Sequence, residues 1–489
     1  MGHVLSHFLA VANILGRMVM MFGLVLLIPC GVAYWTLDGS LSVFLDALSV
    51  TLGCGAAIWI LTYRFKRELQ IRDGFLLVVL VWLSLPLFGM LPLVWYLPEL
   101  GIAKAYFEAA SGLTSTGATI LTRLDELPYA INLWRCLMAW LGGMGLIVLA
   151  VAILPMLGVG GRQLLSAEIP GPIKESRLTP RIAETAKRLW LIYVTLTLTC
   201  MIAYRLAGMT PFDAIAHALS TLGLGGFSTH DSSYGYWNSP LIEAIAILFM
   251  LIAGINFSSH FVAWRAKSFS PYRVDPEAKL YILITLASCI GVAGFLWIKG
   301  IYTDPLVALR YAAFNVVSTA TTAGYSNTDY ALWPIFAPLW MLFLSGFCTS
   351  SGSTGGGIKM IRARILFQQF FREMIIIMHP RAVSLIKIGR SIITNEIIFA
   401  ILGFFFVYLI SIVLMTLALT LSGLDEITAF SAAVACLNNL GAGLGAVGPA
   451  MTYASLNDFQ IWLCSFAMFL GRLEFYTLMI VFTPAFWRR

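Results

Sequence analysis

Four short polar segments, each with a glycine near its centre, interrupt an otherwise apolar chain at nearly regular spacing. They read SGLTSTGAT around Gly117, STLGLGGFST around Gly226, STATTAGYSNTD around Gly324 and CLNNLGAGLG around Gly441, and the glycines follow one another at intervals of 109, 98 and 117 residues. Six positions before each stand Ser111, Ser220, Ser318 and Ala435; ten before stand Phe107, Ala216, Phe314 and Ser431. Upstream of each lies a moderately apolar stretch of about ten residues, opened by turn or acidic residues: AYFEAASGLT, PFDAIAHALS, DPLVALRYAAFNVVS and DEITAFSAAVA. About 20 residues are needed to cross a bilayer. These stretches therefore read as re-entrant half-helices.

The surroundings justify that reading. Of 489 residues, 59% are hydrophobic and 11% charged, where a soluble domain carries roughly 25% charged residues. Ten apolar runs are long enough to span, at approximately 13–36, 42–63, 74–98, 130–155, 187–208, 240–263, 278–298, 332–376, 395–421 and 459–486. The expected fold is an all-α polytopic membrane protein of about ten transmembrane helices plus four half-helices. The repeat divides it into an N-terminal two-helix domain (1–69) and four pseudo-symmetric span, pore-loop, span units at 70–160, 161–265, 266–378 and 379–489. Arg17 precedes an apolar run, yet no convincing cleavage pattern follows, so the first helix reads as retained.

The net charge of +7 sorts by membrane side and needs no nucleic acid to explain it. Basic residues fall in alternate loops: Arg64 to Arg72, Arg162 to Arg188, Arg265 to Lys279, and Lys359 to Arg390. Asp38, Glu99, Asp125, Glu126, Asp231, Asp304, Asp329, Asp425 and Glu426 occupy the opposite loops. The positive-inside rule puts the basic loops and both termini in the cytoplasm. The eight cysteines are scattered singly and read as small core hydrophobes. His217, His230 and His260 form no ligand spacing.

Non-helical backbone survives at membrane depth only where it is buried in protein or lines water. Taken alone, one polar segment could be a transporter's helix-breaking loop without a pore. Four of them around a shared axis meet the requirement together, with carbonyls facing inward as ion ligands. Half-helices entering from the acidic side present their negative C-terminal ends to the centre, which favours cations. Four unequal loops offer less regular carbonyl rings than four identical ones, so fewer well-defined ion sites are expected than in a symmetric filter.

With GGMGLIVLAVAILPMLGVGG, PRIAETAKRLWLIYV, GSTGGGIKMIR and FLGRLEFYTLMIVFTP, the four segments make the whole chain resemble the TrkH subunit of bacterial Trk potassium uptake systems, in a superfamily with Ktr and plant HKT transporters. The resemblance implies a potassium-channel-like pore within one chain of the cytoplasmic (inner) membrane, a homodimer, and a regulatory TrkA-like cytosolic nucleotide-binding ring. K+ is the implied transported ion, with no organic cofactor on this chain. It implies ion-lining backbone at Thr114, Ser115, Thr116 and Gly117; Gly223, Leu224, Gly225 and Gly226; Thr321, Thr322, Ala323 and Gly324; and Asn438, Asn439, Leu440 and Gly441. Glycine at all four key positions goes with potassium preference. Ala442 and Ser115 depart from the usual proline and threonine.

The eighth run contains GFCTSSGSTGGG, Gly346 to Gly357, with five glycines and five hydroxyl residues. Each glycine costs a helix about 1 kcal/mol relative to alanine, so the helix should break there. A phosphate-binding loop is excluded, because Ile358 stands where its lysine would be and no strand precedes it. A passive hinge is one reading. The resemblance implies instead an intramembrane gate under the filter, built from Gly346, Thr349, Ser350, Ser351, Gly352, Ser353, Thr354, Gly355, Gly356, Gly357 and Lys359.

Arg472 lies inside the last run, where an unpaired charge costs at least about 2.5 kcal/mol. Glu474, two positions on, faces elsewhere. The family's matching arginine implies a barrier role below the filter. Arg135, Arg205, Glu243 and Arg310 lie nearer span ends, where snorkelling suffices. No constellation of nucleophiles, metal ligands or carboxylates within the spans suggests an enzyme, and no buried carboxylate in a span stands out as a proton relay. Two readings stay open: a gated channel-like path for potassium uptake, and an ion-coupled symporter with alternating access, a class that usually shows two repeats, not four.

Overall fold

In the computed structural model, residues 2–65, 70–153, 179–389, 391–473 and 475–487 are described. The basic residues Lys66, Arg67 and Arg162 to Arg177, together with Arg390, Glu474, Arg488 and Arg489, lie outside them. Among the described residues the regular structure is helical, apart from a small antiparallel pairing of Lys387–Ile388 with Ser391–Ile392.

Among the described residues, six helices are long and apolar enough to cross a membrane, and two bent pairs bring the number to eight. The bends fall in the sixth and tenth apolar runs: Pro240–Ala253 meets Phe257–Ala266 at 95°, and Asp458–Arg472 meets Phe475–Phe482 at 114°. These two runs are therefore broken, where straight spans were expected. The fourth run is a continuous helix, Tyr129–Ile153. The eighth is divided, as its glycines require, into Phe336–Ser345 and Met360–Met378.

The half-helices are Gly101–Leu113, Pro211–Gly223, Pro305–Ala320 and Glu426–Asn438. Three owe their starts to the turn residues that precede them. Thr210 accepts from Asp213 N at 3.1 Å, Asp304 from Leu306 N at 2.8 Å and Asp425 from Thr428 N at 3.0 Å. Each bond satisfies one otherwise orphaned amide of a helix N-terminus, and Pro211 and Pro305 occupy first helical positions.

Buried side chains form two main apolar bodies. One joins the N-terminal helices to the first and fourth half-helices through Phe107, Trp134 and Phe469. The other joins the second and third through Tyr234, Phe314 and Tyr325. In the N-terminal pair, helix Gly2–Val25 meets Leu41–Thr62 where Gly16 and Gly55 face each other, a small-residue contact of the kind that lets helices approach in lipid. Leu283, Ile290, Phe399, Phe406 and Leu417 are exposed on the spans Ala278–Ile298 and Asn395–Leu421, an apolar surface suited to a bilayer. Seven cysteines are buried and free; Cys54 is free and exposed, unlike the core residue its sequence setting suggested.

Candidate pore and its intramembrane loop

All four half-helices end in the same way. The residue two before each key glycine adopts the left-handed conformation: Ser115 (φ 54°), Leu224 (50°), Thr322 (61°) and Asn439 (54°). The next residue then donates its amide back to the carbonyl six before the glycine: Thr116 to Ser111 at 2.8 Å, Gly225 to Ser220 at 2.9 Å, Ala323 to Ser318 at 2.8 Å and Leu440 to Ala435 at 2.9 Å. This is a Schellman ending, and its acceptor is the residue six positions before the glycine in every segment. Glycine usually fills the left-handed position. Serine, leucine and threonine there cost roughly 1–2 kcal/mol each, and asparagine less, a strain that the surrounding packing must hold.

Because these amides turn back onto their own helices, the carbonyls of the following residues face the neighbouring segments. Gly117, Gly226, Gly324 and Gly441 all have φ between 66° and 87°. A Cβ on Gly117 would collide with the Gly225 carbonyl oxygen, one on Gly226 with that of Ala323, one on Gly324 with that of Leu440 and one on Gly441 with that of Thr116, every approach being under 3.0 Å. Each glycine thus abuts the residue preceding the key glycine of the next segment, and the fourth abuts the first. The ring is closed.

Side chains pin this ring from behind. Ser115 Oγ donates to the Ala139 carbonyl at 3.0 Å, and Asn439 Nδ2 donates to Thr116 Oγ1 and to the Met468 carbonyl, both at 3.0 Å. Asn438 accepts from Tyr408 Oη at 2.8 Å and donates to Ser345 Oγ at 2.9 Å. Thr114 and Thr321 hydroxyls fold back onto the carbonyls of Ala110 and Val317, while Leu224 is buried in apolar surroundings. The serine that departs from the family habit is therefore an anchor. Ala442, the other departure, keeps an amide that proline lacks and donates it to the Leu440 carbonyl at 3.2 Å. Leu440 supplies one of the four ring carbonyls, so the ring is chemically unequal at that point.

The segment between Phe336–Ser345 and Met360–Met378 lies against this ring. A Cβ on Gly355 or Gly356 would run into the carbonyl oxygens of Thr321 and Asn438, respectively. Gly356 N donates to Thr322 Oγ1 and Thr349 Oγ1 to the Gly356 carbonyl, both at 2.8 Å. Thr354 Oγ1 reaches the Leu222 carbonyl at 3.0 Å, Ser350 N the Gly254 carbonyl at 3.0 Å, and Phe257 N the Gly352 carbonyl at 3.1 Å. Ser353 folds onto Ser350, Met360 N onto the Thr349 carbonyl, and Ile358 N onto Gly346. Ser351 N donates to the Glu277 carboxylate at 2.7 Å. Lys359 Nζ donates to the Gly355 carbonyl, and the Lys359 backbone (φ 78°, ψ 145°) is in a region that side chains rarely adopt.

Arg472, at the end of helix Asp458–Arg472, is buried and satisfied by carbonyls. Nη1 donates to Thr354 at 3.0 Å and Nη2 to Gly142 at 2.8 Å. It thereby ties the interrupting loop to the helix Tyr129–Ile153. Among the described residues Nε finds no hydrogen-bond partner, and the guanidinium lies 6.0 Å from the Trp82 ring centroid.

Three of the residues assigned to snorkelling do something else. Arg135 is fully buried: Nε bonds Glu108 at 2.8 Å, Nη1 the Ser228 carbonyl at 3.1 Å and Nη2 Thr119 Oγ1 at 3.0 Å. Glu108 also accepts from Ile120 N at 2.9 Å, so the pair braces the stretches following Gly117 and Gly226. Arg310 grips Glu243 through two bonds, at 2.8 and 2.6 Å. Buried carboxylates are present at Glu108, Glu243 and Glu277, of which Glu243 alone falls within one of the ten apolar runs. Burial of a charge normally demands such a partner, and a glutamate inside an apolar half-helix was the signal available for Glu108. Arg205, which donates to the Met209 carbonyl at 3.2 Å, stays exposed as expected.

On the acidic-loop face, His230 Nδ1 bonds Asp125 and its Nε2 lies 3.4 Å from Asp213. Buried His217 is held by the Asp213 carbonyl and Ser228 Oγ at 2.9 and 3.0 Å.

An all-helical membrane chain whose four re-entrant half-helices deliver glycine-bearing segments to one closed ring defines the class of pore-loop transport proteins. The family model for TrkH, described as a cation transport protein, matches residues 40–489, and the chain belongs to that family, one of transporters and not of enzymes. It is 46% identical to the Trk system potassium uptake protein TrkH of Vibrio parahaemolyticus, over 98% of this chain and 99% of that protein. It is 45% identical to the protein of the same name from Escherichia coli, over 99% of this chain and 100% of the relative. The crystal structure of the potassium transporter TrkH from Vibrio parahaemolyticus superposes with a TM-score of 0.90 at 44% identity, covering 98% of this chain and 100% of that one.

Proposed function

We propose that this protein takes up potassium across the bacterial cytoplasmic membrane through a gated, channel-like path. The single observation that carries the reading is the closed ring, in which each key glycine abuts the residue preceding the key glycine of the next segment. An ion shed of its water must be met by oxygen ligands. The backbone of Thr114 to Gly117, Gly223 to Gly226, Thr321 to Gly324 and Asn438 to Gly441 is the proposed source of them. The names of the relatives, potassium uptake proteins, support K+ as the ion.

In this reading the loop Gly346 to Lys359 is the gate. It packs against the Thr321 and Asn438 carbonyls, where it obstructs an ion leaving the ring on the basic-loop side. Arg472 holds the loop through Thr354 and adds a positive charge to the same path. The acidic loops face outward and the basic loops and both termini inward. Two chains form a homodimer under which a cytosolic nucleotide-binding ring acts on the gate.

The test is potassium, rubidium and sodium flux through the purified chain in liposomes, with and without a pH gradient and the cytosolic partner. Potassium flux that saturates, exceeds sodium flux and needs no proton or sodium gradient is the expected result. Flux that requires such a gradient instead supports an ion-coupled symporter.

A further inference from the structure

We propose that Glu277 fastens the intramembrane loop in its obstructing position, and that ionisation of this carboxyl releases the loop. The inference rests on the gate reading given above. Glu277 immediately precedes the span Ala278–Ile298 and is 2% exposed. Its Oε2 accepts Ser351 N at 2.7 Å, which joins the turn before one span to the middle of the loop 74 residues away. The residues flanking Ser351 meet backbone partners on the sixth run: Ser350 N donates to the Gly254 carbonyl and the Gly352 carbonyl accepts from Phe257 N. Glu277 is thus the side-chain acceptor that joins the middle of the loop to the turn before the span Ala278–Ile298.

The groups around it are few. Asp275, two residues earlier, caps Glu277 N at 2.9 Å and accepts from Ser259 Oγ at 2.5 Å. Lys359 and Arg362 bring positive charge from the far end of the loop and from helix Met360–Met378. Arg364 donates to the Pro276 carbonyl at 2.8 Å. His260, on the helix Phe257–Ala266, is engaged by Tyr272 Oη and the Ile252 carbonyl. Burial, foremost, and Asp275 push the Glu277 carboxyl up to about 8, against the Ser351 amide and the two cations, which lower it.

The direction of coupling follows. With the loop seated, Glu277 is dry and holds its proton; with the loop lifted, water reaches it and its pKa falls toward the ordinary value of about 4.3. Protons favour the state with the higher pKa, which is the seated loop. Raising the pH on this face between those limits therefore favours release, by at most about tenfold per pH unit for one proton. Glu277 is a positioning residue for the gate and need not touch the ion.

The experiment measures potassium flux through the full chain in liposomes while the pH on the basic-loop face is stepped from about 6.5 to about 8.5. Wild-type flux rises several-fold across this range. Glu277→Gln, which cannot ionise yet still offers an acceptor to Ser351, gives flux that stays low and flat, at unchanged thermal stability. Glu277→Ala, which offers none, gives flux that is raised and equally flat. A Glu277→Gln profile as steep as wild type, or a flat wild-type profile, overturns the assignment. A fourth arm, a chain shortened within Gly352 to Gly357, separates the two readings. Raised flux there beside a steep Glu277→Gln profile overturns the role of Glu277 alone, while unchanged flux there overturns the gate and the inference with it.

Discussion

Asn439 donates its side-chain amide to Thr116 Oγ1 at 3.0 Å, joining residues 323 positions apart where the fourth segment meets the first. The same amide reaches the Met468 carbonyl at 3.0 Å. One side chain thus closes the ring and ties it to helix Asp458–Arg472. Asn439 is also the residue type best suited to the left-handed conformation after glycine. Asn439→Ala should cost about 1–3 kcal/mol by leaving buried groups unmet and should lower potassium over sodium selectivity, read from thermal unfolding and from flux ratios.

Ala442→Pro removes the amide that occupies the Leu440 carbonyl. The four ring carbonyls then become more alike. Sharper discrimination between potassium and sodium is the expected outcome, checked by competition flux; discrimination unchanged from wild type in a folded protein counts against an ion-ligand role for Leu440.

Gly356→Ala places a methyl group against the Asn438 carbonyl. Neither atom can yield cheaply, because Asn438 is held by Tyr408 and Ser345. The loop should therefore lift, raising basal flux several-fold without the cytosolic partner. Flux equal to wild type would show that the loop does not obstruct the path.

Arg472 bridges Thr354 and Gly142 with separate nitrogens, which a lysine's single ammonium cannot reproduce with the same rigid fork. Both Arg472→Ala and Arg472→Lys should raise basal flux, but only the alanine variant removes the charge. A change in single-channel conductance confined to Arg472→Ala then reports the electrostatic part of the barrier.

His230 on the acidic-loop face supplies a pH-dependent clasp. Burial lowers its pKa, but the Asp213 and Asp125 carboxylates more than offset this and raise it above the ordinary value. The stabilisation is therefore complete below about pH 6.5 and is lost as pH rises through the elevated value. Wild-type thermal stability should fall over that window, and His230→Gln should flatten the fall.

Much of the architecture was legible because it depends on local composition. Stretches too short to cross a bilayer became half-helices of 13 to 16 residues, and the five glycines after Phe343 broke the eighth run. The repeated position six before each glycine proved to be a carbonyl acceptor, a backbone requirement that any residue type can meet. Legibility failed for the long-range polar pairs. Arg135 looks like a snorkelling residue until Glu108, 27 positions earlier, is placed beside it. Glu277 reads as one more charge in a cytoplasmic loop until Ser351 is folded over it.

By itself the sequence determined the membrane class, the four glycine-bearing segments and the break in the eighth run, since hydropathy and glycine's freedom act over a few neighbouring residues. Only the tertiary structure decided which carbonyl each glycine meets, which charges are neutralised, and what the broken run rests against. Those outcomes depend on burial, and whether a charge or a carbonyl is buried, and beside what, is set by helices well separated in the chain coming to lie side by side.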